Sequence, residues 1–229
     1  MKTIGLIGGM SWESSALYYQ LINELVRDQL GGLHSAKVVL ASVDFAEIEE
    51  LQSAGDWDRA GELLAVEASR LQAAGADFLV LCTNTMHKVA PVIEAATSIP
   101  LLHLADATGD AVTAAGVEAV GLLGTAFTME QDFYKDRLAG HGLTVLIPDA
   151  AQRAAVHRII YEELVLGIVE ESSRAQYREV IAALVDRGVQ GVILGCTEIE
   201  LLVSQTDSPV PVFPTTRIHA EAAVREALR

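Results

Sequence analysis

The sequence predicts an α/β protein with two pseudo-symmetric domains, each a mostly parallel sheet flanked by helices. Short apolar runs of strand length alternate with longer segments of helical periodicity along the whole chain. The second half of the chain also repeats motifs of the first half in the same order. Alternation of strands and helices is typical of right-handed crossover units in a parallel sheet. The repeated motifs favour two similar units over one continuous sheet.

Eight apolar runs are candidate strands, and helical patterns lie between them. The predicted strands are residues 3–7, 37–43, 78–81, 101–102, 119–123, 144–147, 191–194 and 210–213. Apolar residues recur at helical spacing in segments 56–74 and 177–185, which predicts an amphipathic helix in each. Scarce aromatic residues and abundant aliphatic ones suit parallel strands buried under helices.

The internal repeat links two pairs of strands together with the turns that follow them. Segment 4–8 is similar to 120–124, and segment 79–84 is similar to 192–197. In each half, a strand with a glycine turn comes first, and a strand followed by cysteine and threonine comes later. Ligands of open parallel sheets bind beyond the carboxyl ends of the strands. We therefore expect the turns at Gly8, Cys82, Gly124 and Cys196 to meet in an interdomain cleft that forms the active site.

Composition and charge exclude several kinds of partner. The formal net charge is −15, so we expect binding neither to nucleic acid nor to an anionic membrane surface. The first residues do not resemble a signal peptide, and no apolar stretch is long enough to span a membrane. Two cysteines in 229 residues do not make a disulfide framework, which favours a cytoplasmic protein with reduced thiols.

Cys196 is the first candidate for chemistry. It follows a buried strand and a glycine, and Thr197 and Glu198 then open a segment of helical pattern. A thiol at a helix N-terminus is expected to have a lowered pKa, which would make it a usable base near neutral pH. Thr197 is expected to cap that helix and to donate to a carboxylate. The alternative is a small buried residue at the end of a strand.

A second set of polar residues follows the strand at 78–81. Thr83, Asn84 and Thr85 form a dense group of hydrogen-bond donors at the start of another predicted helix. Such a group could bind a carboxylate. The alternative is simple capping of that helix.

These segments resemble the aspartate/glutamate racemase family, in particular its aspartate racemase branch. The family carries Cys-Asn-Thr after a strand of one domain and Gly-Cys-Thr at the equivalent place in the other. Thr83-Asn84-Thr85 and Gly195-Cys196-Thr197 match those motifs, and similar segments begin at Gly8, Gly124 and Ile160. The resemblance extends from Ile4 to about Ala220.

The resemblance implies a cofactor-independent isomerase for a small amino acid with an acidic side chain. In the family, two opposed cysteines remove the α-proton and return one to the other face of the substrate. The chain is then expected to leave the first domain and return to it late, giving domains of 1–98 with 209–229 and of 99–208. We also expect a homodimer. The implied catalytic residues are Cys196 and Thr83, and the implied substrate-binding residues are Met10, Gln52, Asn84, Thr85, Thr125, Thr197 and Glu198.

This sequence departs from the family pattern at three positions. Thr83 occupies the place of the first catalytic cysteine, and Cys82 lies one residue earlier, on the opposite side of the strand. The family cysteine that matches Cys196 acts on the L-enantiomer, so we expect a bias towards L-substrates. Val165 and Gln52 stand where some relatives have a lysine and an arginine. The loss of those positive charges predicts weak affinity for dicarboxylates or a broad range of substrates.

Other functions fit the sequence less well. The spacing of Gly5, Gly8 and Gly9 differs from a dinucleotide-binding motif, and Glu13 replaces the second glycine of a serine hydrolase elbow. The six histidines lack metal-ligand spacing, so we expect no metal. Two alternatives remain open. They are a related cysteine-dependent decarboxylase or isomerase, and a non-catalytic amino-acid-binding protein.

Overall fold

The computed structural model describes residues 1–229, which fold as two units. The first unit comprises Met1–Leu104 and His219–Arg229, and the second comprises Ala105–Ile218. The strands are β1 (Ile4–Gly8), β2 (Val38–Ser42), β3 (Phe78–Leu81), β4 (Leu101–Leu102), β5 (Ala119–Gly124), β6 (Thr144–Leu146), β7 (Gly191–Gly195) and β8 (Val212–Pro214).

Eleven α-helices and three short 3₁₀ helices join the strands. The α-helices are α1 (Trp12–Leu30), α2 (Phe45–Ala54), α3 (Trp57–Ala73), α4 (Ala90–Ala95), α5 (Leu104–Ala114), α6 (Ala126–Glu130), α7 (Asp132–Gly140), α8 (Ala150–Glu162), α9 (Glu171–Asp186), α10 (Ile199–Leu202) and α11 (Thr215–Leu228). The 3₁₀ helices are Thr85–Val89, Leu164–Leu166 and Gln205–Asp207. None of the helices combines the length and the apolarity that a membrane crossing requires.

Each unit contains a sheet of four parallel strands with the same topology, which confirms the predicted fold class. The strand order is β2-β1-β3-β4 in the first sheet and β6-β5-β7-β8 in the second. Every pair of neighbouring strands in the two sheets is parallel. The two halves of the chain therefore repeat one crossover pattern.

The limits of the two units differ from the expected limits of 98 and 209. Strand β4 pairs with β3, so the chain completes the first sheet before it leaves the first unit after Leu104. Strand β8 pairs with β7, so the chain completes the second sheet before it returns at His219. Edge-strand pairing thus moves both limits towards the C-terminus.

The first sheet is buried on both faces. Leu79 and Leu81 enter an apolar cluster that includes Leu64 and Leu71 of α3. Cys82 follows the same strand and enters a second cluster, which contains residues of α1 and α11. Alternation along β3 explains this division, because successive side chains of a strand point to opposite faces. Such a strand is a rigid support for the residues that follow it.

The return of the chain to the first unit is fixed by a buried histidine. The His219 Nε2 lies 2.8 Å from the Leu102 carbonyl oxygen, and the Tyr18 hydroxyl lies 2.9 Å from His219 Nδ1. The carbonyl can only accept, so Nε2–H donates to it and Nδ1 accepts from the tyrosine. Burial lowers the pKa of His219 from its ordinary value near 6.5 to about 4. The ring is therefore neutral at neutral pH.

We expect His219 to make the protein less stable in mild acid. Its folded-state pKa lies below its unfolded value, so the stability it contributes is present above the unfolded pKa of 6.5 and is lost as the pH falls towards 4. The groups that face its ring are Tyr18, His87 and the Leu102 carbonyl, and none of them is a carboxylate that would offset the cost of protonation. Between about pH 7.5 and about pH 5, this one group is expected to remove about 2 kcal/mol.

Urea unfolding of the protein and of His219→Gln at both pH values measures this effect. The glutamine amide can still donate to the Leu102 carbonyl, but it does not titrate. The variant should lose less stability on acidification by about 2 kcal/mol. Equal losses in the two proteins would contradict a neutral buried His219.

Candidate active site

The loop after β1 is shaped by glycine and by two serines of the first helix. Gly9 has a φ of +95°, and a Cβ at this position would lie 2.3 Å from the Val43 carbonyl oxygen, so no other residue fits. The Gly9 backbone N–H donates to Ser15 Oγ at 2.8 Å. Ser11 caps α1 by accepting from the Ser14 backbone N–H. The sequence motif thus builds a tight turn that is bonded to the start of α1.

Thr83 and Cys196 occupy equivalent positions in the two units. In the first sheet, Ile7 of β1 is in register with Leu81 of β3. In the second, Leu123 of β5 is in register with Leu194 of β7. Thr83 and Cys196 each lie two residues beyond the second member of these pairs. The two units thus present a threonine and a cysteine at the same topological place.

Cys82 is a core residue, as its position in the strand predicts. It is 0% exposed, it packs in the cluster of α1 and α11, and its Sγ lies 3.9 Å from the Val80 carbonyl oxygen. Burial raises the pKa of its thiol far above the ordinary value. Cys82 therefore remains a neutral thiol under physiological conditions.

We expect Cys82→Ala to cost about 1 kcal/mol of stability and to leave α-proton exchange nearly unchanged. The substitution removes one buried sulfur from the core cluster of α1 and α11 and changes neither Thr83 nor Cys196. Urea unfolding measures the first quantity, and deuterium uptake by an amino-acid substrate measures the second. Loss of exchange in this variant would make Cys82 the second catalytic thiol.

The other predicted residues of the first unit are largely buried around the segment that follows β3. Asn84 is 6% exposed and does not cap the 3₁₀ helix with its side chain, so simple capping does not explain it. Thr85 begins that helix and is 9% exposed. Gln52 is 5% exposed, and its amide nitrogen lies 2.8 Å from the Met86 sulfur. Met10 packs in the same core cluster as Met86.

In the second unit, Glu198 contacts the Cys196 thiol directly. The Cys196 Sγ lies 2.9 Å from Glu198 Oε2, and the thiol is partly buried against the core of α8 and α9. The S–H donates to the carboxylate in this arrangement. The sequence predicts that Glu198 binds the substrate. In the structure, its side chain accepts a hydrogen bond from the Cys196 thiol.

Burial raises the pKa of the Cys196 thiol well above its ordinary range, and the neighbouring Glu198 and Glu200 raise it further. The expectation that a helix N-terminus lowers this pKa was wrong. The helix begins only at Ile199 and is four residues long, so its dipole is small and lies beyond the thiol. Without a ligand, Cys196 is therefore a neutral thiol that is hydrogen-bonded to a carboxylate.

Replacing Glu198 should make this thiol more acidic. We expect Glu198→Gln to lower the Cys196 pKa, because the variant removes a charge that disfavours the thiolate. The pH dependence of alkylation by iodoacetamide measures the pKa, with Cys82→Ala as the background in which Cys196 is the only thiol. An unchanged or higher pKa in Glu198→Gln would contradict the charge effect.

A second glutamate, Glu200, acts on Cys196, and Thr197 follows the cysteine in the chain. The Thr197 hydroxyl lies 3.0 Å from the Thr216 hydroxyl and does not cap α10, contrary to expectation. Burial raises the pKa of Glu200 to about 7, although Arg217 opposes the shift. Thr125, which follows the equivalent of the first-unit glycine turn, caps α6 through its hydroxyl. The carboxylates around Cys196 suit a ligand that carries a positive group, such as an α-ammonium.

Sequence reasoning missed the serines that hold these loops. Ser14 Oγ donates to the Cys82 carbonyl oxygen at 3.3 Å, and Ser15 Oγ donates to the Ser11 carbonyl oxygen at 2.9 Å. The signal available was a pair of small polar residues in the first turn of a helix that follows a double-glycine turn. Both serines are 3% exposed, which is unusual for polar residues without a structural role.

Comparison with known proteins identifies a family model and solved structures that are similar to this chain. The family model for Asp/Glu/hydantoin racemases matches residues 7–223. The crystal structure of a candidate Asp/Glu racemase from Yersinia pestis is 59% identical, with complete coverage of both chains and a TM-score of 0.96. An aspartate racemase homologue from Pyrococcus horikoshii OT3 is 32% identical over the whole of both chains, with a TM-score of 0.89.

A curated relative extends the comparison to a protein with a named activity. The broad specificity amino-acid racemase RacX of Bacillus subtilis is 25% identical over 173 residues, which cover 74% of this chain and 73% of the relative. The two units share one strand order, and they carry a threonine and a cysteine at equivalent strand ends. The family model covers most of the chain. The chain belongs to the Asp/Glu/hydantoin racemase family.

Proposed function

We propose that this protein is a cofactor-independent amino-acid racemase for aspartate-like and glutamate-like substrates, with Cys196 as its base on the L-side. The observation that carries the proposal is the register that puts Thr83 and Cys196 at equivalent strand ends. The family membership supplies the reaction class. A protein with one thiol and one hydroxyl at these places is expected to work unequally on the two enantiomers.

The contact with Glu198 suggests how a thiol of high pKa becomes a base. The α-ammonium of a bound amino acid would offset the negative charge that forms when Cys196 loses its proton. The S–H proton then passes to Glu198 Oε2, which lies 2.9 Å away. The thiolate takes the α-proton, and the electron pair of the broken C–H bond enters the α-carboxylate as an enolate. Nearby hydroxyl and amide donors stabilise this charge.

The same pair of groups gives the proton a route to solvent. After abstraction, the proton on Cys196 exchanges through Glu198, and a solvent proton returns to the carbon from the same face. This one-sided cycle requires no second base. Inversion requires delivery to the other face, and in the proposal Thr83 is the residue that takes part in that delivery.

Incubation of L- and D-aspartate and of L- and D-glutamate in deuterated water tests the proposal. We expect a mass gain of one deuterium in the L-substrates, with slow inversion detected by chiral chromatography. Tight binding without any mass gain would instead favour a non-catalytic amino-acid-binding protein. Release of carbon dioxide from a malonate-type acid, with no exchange of amino acids, would favour the related decarboxylase reaction.

A further inference from the structure

The backbone around Thr83 is held by side chains on both sides of its Cα. The carbonyl oxygen before it, that of Cys82, accepts from Ser14 Oγ at 3.3 Å. The carbonyl oxygen of Thr83 itself lies 2.7 Å from His87 Nδ1. The Thr83 backbone N–H donates to the Leu81 carbonyl oxygen at 2.9 Å, which closes a tight turn. All three backbone groups are thus bonded within the first unit.

The Thr83 hydroxyl, by contrast, makes no hydrogen bond to another protein group, and the side chain is partly exposed. Its position therefore depends on the backbone that carries it and on the χ1 rotamer of the side chain. A shift of the Thr83 carbonyl would move the hydroxyl by a similar amount. The bond from His87 is the shorter of the two side-chain bonds and acts on the carbonyl of Thr83 itself.

The tautomer of His87 is fixed by its two partners. The Thr83 carbonyl can only accept, so Nδ1 carries the proton and donates. The Leu104 backbone N–H, at the start of α5, donates to Nε2 at 3.2 Å, so Nε2 accepts. A ring turned by 180° would present carbon atoms to both partners. His87 thus has one orientation in which both bonds form.

Packing holds the ring in that orientation. His87 is 2% exposed, and its ring stands edge-on to His103 at 4.5 Å and to His219 at 5.9 Å between centroids. His219 is itself fixed by Tyr18 and by the Leu102 carbonyl. A buried ring that makes two hydrogen bonds is held both by its partners and by its packing, so it can fix the position of the Thr83 carbonyl.

We propose that His87 is a positioning residue that sets the Thr83 hydroxyl for proton transfer at the substrate. This inference rests on the proposed function for its kinetic part. It assigns no chemistry to the imidazole, which donates to a backbone carbonyl and accepts from a backbone N–H. It predicts that changes at His87 act on the step that involves Thr83 and spare the step that involves Cys196.

Two variants of His87 separate the two bonds. In His87→Asn, the amide nitrogen lies near the place of Nδ1 and can still donate to the Thr83 carbonyl, while the bond to Leu104 is lost. In His87→Gln, the longer side chain reaches the place of Nε2 and can accept from Leu104, while the bond to Thr83 is lost. His87→Asn removes more volume from the core than His87→Gln, so a general loss of packing would harm His87→Asn more, which is the opposite of the order expected from positioning.

We expect His87→Gln to lower the rate of inversion of L-aspartate at least about 10-fold, with deuterium exchange at the L-side changed less than about 2-fold. His87→Asn should retain most of the inversion rate. Equal loss of exchange and inversion in both variants, or no loss in either, would overturn the positioning role. If inversion by the unmodified chain is too slow to measure, the same comparison is made in Thr83→Cys.

A spectroscopic measurement keeps this inference separate from the proposed function. Ring nitrogen shifts of His87 should show a proton on Nδ1, and the backbone amide shift of Asn84, which follows the Thr83 carbonyl, should move in His87→Gln but little in His87→Asn. A proton on Nε2, or equal Asn84 shifts in both variants, would overturn the inference even if the protein has racemase activity. Absence of exchange with every amino acid, together with the expected shifts, would refute the function alone.

Discussion

Cys196→Ser is expected to lower deuterium exchange at the L-side by a factor on the order of 1000. Serine keeps the size and a donor, so the hydrogen bond to Glu198 can still form. A hydroxyl, however, is a much weaker acid than a thiol, and its anion is out of reach near neutral pH even with a carboxylate 2.9 Å away. Mass spectrometry of L-aspartate and L-glutamate in deuterated water measures the loss.

Cys82→Ala is the matched control for removal of a cysteine. It takes a thiol from the core of the first unit and leaves the strand end of the second unit untouched. Both variants should retain the circular dichroism of the unmodified protein. If Cys196→Ser keeps most of the exchange activity, the thiol is not the base and the proposed mechanism fails.

Thr83→Cys is expected to raise exchange at the D-side and true racemisation by at least about 100-fold. The unmodified protein should label L-substrates and leave D-substrates almost unlabelled, because removal of the D-side proton would require a threonine alkoxide. A cysteine at this position supplies a group whose pKa allows it to act in both directions. Chiral chromatography and mass gain, measured on both enantiomers, follow inversion and exchange separately.

Detailed balance makes this test strict. An enzyme cannot invert a stereocentre in one direction only, so a slow path from the D-enantiomer means slow net racemisation from the L-enantiomer as well. One-sided exchange is exempt, because Cys196 returns a deuteron to the face from which it took the proton. Thr83→Ser and Thr83→Val serve as controls, since the first keeps the hydroxyl and the second keeps the shape. Equal and fast racemisation of both enantiomers by the unmodified protein would contradict the one-base mechanism.

Most of the sheet architecture could be predicted because buried parallel strands leave continuous apolar runs. Strands β3 and β4 begin and end where the sequence predicted, at residues 78–81 and 101–102. The predicted ends of β1, β5 and β7 each lie one residue before the observed end, which is a glycine in all three strands. Gly195 belongs to β7 because it is in register with Gly124, and a Cβ there would lie 2.9 Å from the Leu123 carbonyl oxygen. Glycine has a low propensity for strands, but here the strands approach so closely that only glycine fits.

The places of the candidate site residues in the fold could be predicted better than their electrostatics. The motif located Cys196, and strand alternation separated Cys82 from Thr83. The sequence could not show that Glu198 folds back onto the thiol at 2.9 Å or that the helix after it has only four residues. Both facts depend on side-chain conformation and local backbone geometry. Burial of the thiol, followed by the contact with Glu198, raises the Cys196 pKa, whereas the sequence predicted that it would be lowered.

The first unit is built from two separate segments of the chain, and this affects how the protein folds during its synthesis on the ribosome. Its core contains Ala220, Ala223, Val224 and Ala227 of α11, which are synthesised after the whole of the second unit, whereas the second unit is one continuous segment, Ala105–Ile218. We therefore expect the usual N-terminal-first order of folding during synthesis to be inverted for this chain. The second unit can become compact before α11, which completes the core of the first unit, has been synthesised. Limited proteolysis of stalled nascent chains would then find protection beginning in the later half, and protection beginning in the earlier half would refute this order.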